Sequence, residues 1–110
     1  MTAQAQVPLR IESTKVGSYL LNITHPDGGP KARFFLGHGF CLEDLQPFAI
    51  ALAAHGFAGW PGVVKPGYKG NKHVVSGPIS TPNGTTPDIV TVWELKDGEQ
   101  TARLITAYPN

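Results

Sequence analysis

The sequence predicts an α+β fold: an N-terminal helical part packed on an antiparallel β-meander of three to four strands. Two observations carry this expectation. The run "EDLQPFAIALAAHG" places apolar residues at helical spacing, whereas "KHVVSGPI", "DIVTVWEL" and "ARLITAYP" alternate with the period of a strand. The intervening "STPNGTTP" and "KDGEQT" each hold a turn signal, Asn83-Gly84 and Asp97-Gly98. At 110 residues, 41% hydrophobic and 15% charged, the chain has material for one modest core, so residues 1–110 are read as a single domain.

Each element can be justified in turn. Residues 1–13 are polar and unpatterned, and read as a disordered or extended N-terminal arm. The stretch from Val16 to Phe40 offers two short apolar segments around the turn cluster "HPDGGP"; "SYLLNIT" fits strand or helix equally. A helix follows near 44–55, with Asp44 as cap, Pro47 in the first turn and Gly56 as its end. Leu45, Phe48, Leu52 and His55 share one side of it. "GFAGWPGVVKPGYKGN" reads as a long loop or an irregular edge strand, and the meander occupies about 71–79, 88–95 and 102–108.

Composition excludes several function classes. The longest apolar run is interrupted by Pro47, His55 and two glycines, so no membrane span is expected. The first residues lack the pattern of a secretory signal, and Cys41 is the only cysteine, so a soluble, cytoplasmic protein without disulfides is expected. His25, His38, His55 and His73 show no metal-ligand spacing, and "GYKGNK" lacks the spacing of a P-loop. No cofactor and no metal are therefore expected. His38 reads as a loop histidine, and His25, before Pro26, lies in a turn.

Charge is more telling in its distribution than in its sum of +1. Between Gln46 and Pro87 there is no Asp or Glu, yet Lys65, Lys69, Lys72, His55 and His73 fall there, interleaved with Trp60 and Tyr68. Such a stretch suits a phosphate or an acidic partner, although solvated surface lysines would look the same. A pI near 7.9 limits any nucleic-acid contact to a small local one.

In the last strand, alternation puts Leu104, Thr106 and Tyr108 on one face and Arg103, Ile105 and Ala107 on the other. If Ile105, Ala107, Val90 and Val92 face the helix, Thr106, Tyr108, Thr91 and Trp93 share the uncovered face, with Lys72 or His73 beside them. Thr and Tyr are also good strand residues, which is the simpler reading of the same pattern. His55, near a helix C-terminus where the dipole favours its charged form, is the best acid/base candidate; a capping or partly buried histidine is the alternative.

The segments "KARFF", "GNKHVVSG", "TVWEL" and "ARLITAYP", in this order around a helix ending in a histidine, resemble an uncharacterised bacterial family, a domain of unknown function. In that family Lys-Ala-x-Phe-Phe precedes the helix, and Gly-x-Lys-Tyr, Thr-Val-Trp and Thr-Ala-Tyr-Pro mark the strands. The resemblance runs from about Lys15 onward. His73 departs from it, standing where the family has Tyr.

More distantly, "TAYP" looks like the ending of the RNase A-like toxins of contact-dependent inhibition, and the helix-then-sheet order looks like the barnase/EndoU/colicin/RelE group of ribonucleases. What this resemblance implies is a toxin-like, metal-independent endoribonuclease working by acid/base transphosphorylation. His55, Lys31, Lys72, Thr106 and Tyr108 are then the catalytic candidates, and Lys69, His73, Thr91, Trp93 and Arg103 the substrate-binding ones. RNA, tRNA included, would be the substrate, and an antitoxin or immunity protein the inhibitor. The competing expectation is a non-catalytic protein-binding accessory domain of a phage or toxin system, favoured by the lack of an evident carboxylate base.

Overall fold

A computed structural model describes residues 7–12 and 29–110. Two helices, α1 (Gly29–Gly37) and α2 (Gln46–Gly59), accompany five strands: β1 (Leu9–Arg10), β2 (Val63–Gly67), β3 (Gly70–Pro78), β4 (Asp88–Lys96) and β5 (Ala102–Pro109). The strands form one sheet in the order β1-β5-β4-β3-β2. All neighbours are antiparallel except β1, which lies parallel to β5 with Arg10 opposite Arg103. The architecture is the α+β one expected, with α1 and α2 preceding the meander. The meander gains an edge strand, β2, from the Gly/Pro-rich stretch. Part of the N-terminal arm supplies β1, while residues 1–6, the "SYLLNIT" segment and His25 lie outside the described residues.

Why α2 forms and stops is local chemistry. Its alanine-rich interior favours helix, and Pro47 sits in the first turn, where its missing N–H costs nothing. Asp44 is not the cap: Leu45 holds that position, and the Asp44 carboxylate accepts instead from the Gln46 N–H at 3.3 Å. Gly56 does not end the helix either. It lets the helix approach Trp93 so closely that a Cβ there would lie 2.5 Å from the indole. The helix runs on to Gly59 and ends as Trp60, ahead of Pro61, turns extended at ψ 139°.

Phe48, Leu52 and His55 face the sheet, as their spacing predicts. Phe48 meets Phe35 of α1 and Phe40 at ring-centroid distances of 4.8 and 4.5 Å. With Val75, Ile79, Ile89, Trp93, Leu104 and Ala107 they form the core between α2 and one face of the sheet. Gly84 and Gly98, at φ of 86° and 79°, supply the left-handed positions in the two loops of the meander.

Candidate functional site

Strand register decides which residues share a face. Across β3, β4 and β5, His73, Val75, Thr91, Trp93, Ala107 and Leu104 lie toward α2. On the far face stand Lys72, Val74 and Ser76 of β3, Val90, Val92 and Glu94 of β4, and Arg103, Thr106 and Tyr108 of β5. The expected grouping is thus half corrected. Thr106 and Tyr108 do turn away from the helix, but Thr91, Trp93 and His73 point to it, and Val90 and Val92 take their places.

Two causes explain the correction. Ile89, Val90 and Thr91 are all buried, so alternation along β4 gives no phase. In β5 the register shifts opposite Val92/Trp93, leaving Ile105 as an extra residue. That bulge brings Arg103 onto the same face as Thr106, where strict alternation separates them.

On the α2 side the polar groups form a closed chain. Trp93 Nε1–H donates to Thr91 Oγ1 at 2.8 Å, and the Thr91 hydroxyl, 3.0 Å from His55 Nδ1, can then donate to it. His55 Nε2, 3.2 Å from the Gly77 carbonyl, supplies the last N–H. This arrangement requires the neutral, Nε2-protonated ring. Burial lowers the His55 pKa below its ordinary value, opposed by backbone hydrogen bonding at Gly77 and Ile89. The residue expected to serve as acid/base is 5% exposed, has both nitrogens occupied, and lies across the sheet from Thr106 and Tyr108.

His73 is placed in a similar way. Its Nδ1 donates to the Pro61 carbonyl at 2.9 Å and its ring stacks on Trp60 at 4.1 Å. His38 bonds Thr85 Oγ1 at 2.8 Å in the loop region expected for it.

One end of the far face gathers three of the expected residues. Lys31, in the first turn of α1, reaches β5: its Nζ donates to Thr106 Oγ1 at 3.2 Å and lies 6.0 Å from the centroid of the Tyr108 ring. All three are half-buried. Lys72 and Arg103 share this face but sit at the other end of it, level with Glu94. Four residues of β4 separate that level from Val90, which pairs with Tyr108, a distance of about 13 Å. Arg103 binds Glu94 Oε1 through Nη2 at 3.0 Å. There a cleft of about 360 Å³ is lined by Tyr68, Lys69, Lys72, Lys96 and Arg103, with Glu94 among them.

Sequence reasoning missed Arg10 and Glu94 as members of this surface, and named Lys65 only within the cationic stretch. A two-residue loop at Tyr68-Lys69 pairs it with Lys72, a register that Pro66 obscures by leaving the segment readable as a loop or an edge strand. Among the described residues no three His, Cys, Asp or Glu side chains come together to hold a metal ion, and no helix is long and apolar enough to cross a membrane.

Among the described residues, two helices and a five-stranded, mostly antiparallel sheet define a small α+β domain. Within that class, the chain is a member of the family described as Domain of unknown function (DUF6883), whose pattern matches residues 5–110. No curated protein matches the sequence. A solved structure with the same fold is a chain of the contact-dependent growth inhibition toxin–immunity protein complex from Klebsiella pneumoniae 342. It is 18% identical with a TM-score of 0.66, and the match covers 91% of this chain and 98% of that one. At that identity the likeness is one of fold.

Proposed function

We propose that the protein is a toxin-like, metal-independent endoribonuclease whose working surface is the far face of the sheet, and that an immunity or antitoxin protein restrains it. The observation that carries this reading is the convergence of Lys31, Thr106 and Tyr108 from α1 and β5, with Lys31 Nζ 3.2 Å from Thr106 Oγ1. Fold likeness to a chain of a toxin–immunity protein complex supports the toxin setting.

Transphosphorylation needs a proton taken from the 2′-OH, a proton given to the leaving 5′-oxygen, and donors around the phosphorus. The 2′-oxygen attacks, the P–O5′ bond breaks, and a cyclic phosphate and a free 5′-OH result. Tyr108 and Lys31 are the groups at this place able to move a proton, and Thr106 can hold a non-bridging oxygen. Lys72 and Arg103, which stand about 7 Å along the sheet from the level of Thr106 and about 13 Å from that of Tyr108, serve the flanking phosphates, as does Lys69 at the hairpin tip. His55, Thr91, Trp93 and His73 build the scaffold beneath.

Induced expression in bacteria tests this. Wild type should arrest growth and fragment cellular RNA, and Tyr108→Phe and Lys31→Ala, each folded by circular dichroism, should lower cleavage by about 100-fold or more. Intact RNA with unimpaired growth would defeat the reading and leave a protein-binding domain.

A further inference from the structure

One row of side chains crosses the entire sheet on its far face. Arg10 of β1 is paired with Arg103 of β5, Arg103 with Glu94 of β4, Glu94 with Lys72 of β3, and Lys72 with Lys65 of β2. Residues paired in register point to the same side, and strands lie about 4.8 Å apart, so this row extends about 19 Å. It carries four cations and one acid.

Two features oppose a purely structural role. Lys65 and Lys72 stand directly opposite each other at exposed positions of β2 and β3, a like-charge pair that weakens the hairpin it belongs to. Arg103 is engaged by Glu94, the one acid of the row, and Arg10 by Glu12 at 3.4 Å, whereas among the described residues no ion pair reaches Lys65 or Lys72 in the β2–β3 half. At the tip of that hairpin Tyr68 is 94% exposed, and Lys69 Nζ lies 5.5 Å from its ring centroid. A fully solvated aromatic ring flanked by cations contributes nothing to the core. It is the pairing of groups that single-stranded nucleic acid uses, cations for the phosphates and a π-face for a base.

We propose that the Arg10–Arg103–Lys72–Lys65 row is the binding track for the phosphate backbone of single-stranded RNA, with a base stacked on Tyr68. The track leads substrate across the strands toward Lys31, Thr106 and Tyr108. It rests on the ribonuclease reading for its biological role but not for its measurement, since binding can be read without cleavage.

The test is fluorescence anisotropy of the full chain with a labelled 2′-O-methyl oligoribonucleotide about ten nucleotides long, whose blocked 2′-oxygen prevents cleavage. Binding should weaken with salt, at a slope in log–log form of about −0.7 per phosphate contacted. In the Lys65→Ala/Lys72→Ala variant the slope should become shallower by about 1.4. Tyr68→Ala should weaken binding about 5- to 100-fold and leave the salt slope unchanged. Circular dichroism establishes that each variant is folded.

Affinity and slope unchanged in both variants would overturn the proposal. So would competition by polyglutamate as effective as that of unlabelled oligonucleotide, with no effect of Tyr68→Ala, which would make the row a dock for an acidic protein. Binding as described, in a chain that leaves cellular RNA intact, would sustain the track and remove only the chemistry.

Discussion

The two faces of one sheet treat polar side chains in opposite ways. Toward α2, Thr91, Trp93 and His55 donate and accept among themselves and to Gly77, in an environment where Thr91 and Trp93 are fully buried. On the far face, Lys72 and Lys65 are exposed and set against each other, and Lys31 reaches over from a neighbouring helix. Buried polar groups must satisfy one another because water cannot, and a satisfied set gains stability only as a whole. Exposed charges meet no such demand. They can be placed for a ligand, at a small cost to the fold. The face holding the histidine best suited by type to acid/base chemistry is therefore the one with no room for it.

Removing a link from the buried chain should give the largest effect. Thr91→Val keeps the shape but leaves the Trp93 N–H and His55 Nδ1 without a partner, and we expect a loss of about 1–3 kcal/mol in urea unfolding. A loss below a few tenths would mean that the two faces do not differ as described.

The second effect is a pH dependence. Because burial lowers the His55 pKa in the folded chain, the unfolded chain binds the extra proton first as pH falls below the ordinary value of 6.5. His55 should therefore leave stability undiminished above that value and reduce it as pH falls from 6.5 to the lowered folded pKa. Tm measured across this range should drop, and His55→Gln should remove part of the drop. An identical profile in the variant would place the cause elsewhere.

The smallest effect has the opposite sign. Lys65→Glu replaces a like-charge cross-strand pair by an opposite one, so we expect a gain of about 0.2–0.5 kcal/mol, fading at high salt. A substitution that stabilises the fold while weakening oligonucleotide binding would sharpen the contrast between the two faces. A destabilised Lys65→Glu chain would break it.

The parts of the fold that could be read from the sequence are those where one signal dominates. The helical stripe Phe48, Leu52 and His55 and the turn pairs Asn83-Gly84 and Asp97-Gly98 are of that kind. The strand β2 was legible only as one of two readings, a long loop or an irregular edge strand, because Pro66 and the glycines around it argue for a loop while a proline is tolerated on an edge. The site was legible in its residue types more than in its grouping. "KARFF" and "TAYP" do supply Lys31, Thr106 and Tyr108 to one place, but the contact depends on how α1 lies against β5, which no local pattern encodes. Thr91 and Trp93 were assigned to the wrong face because β4 is buried on both sides near its start, and a strand with no polar side carries no phase.

The bulge at Ile105 has a consequence for how such a surface could arise and be lost. In a pleated strand, inserting or deleting one residue inverts everything on one side of the change relative to the other. Ile105 is that inserted beat: upstream of it Arg103 joins the row of cations, and downstream Thr106 and Tyr108 meet Lys31. Without it, the guanidinium and the two hydroxyls would stand back to back across the sheet, every side chain still present. The alignment of the two halves of this surface thus hangs on a parity, odd or even, rather than on the identity of any residue in it.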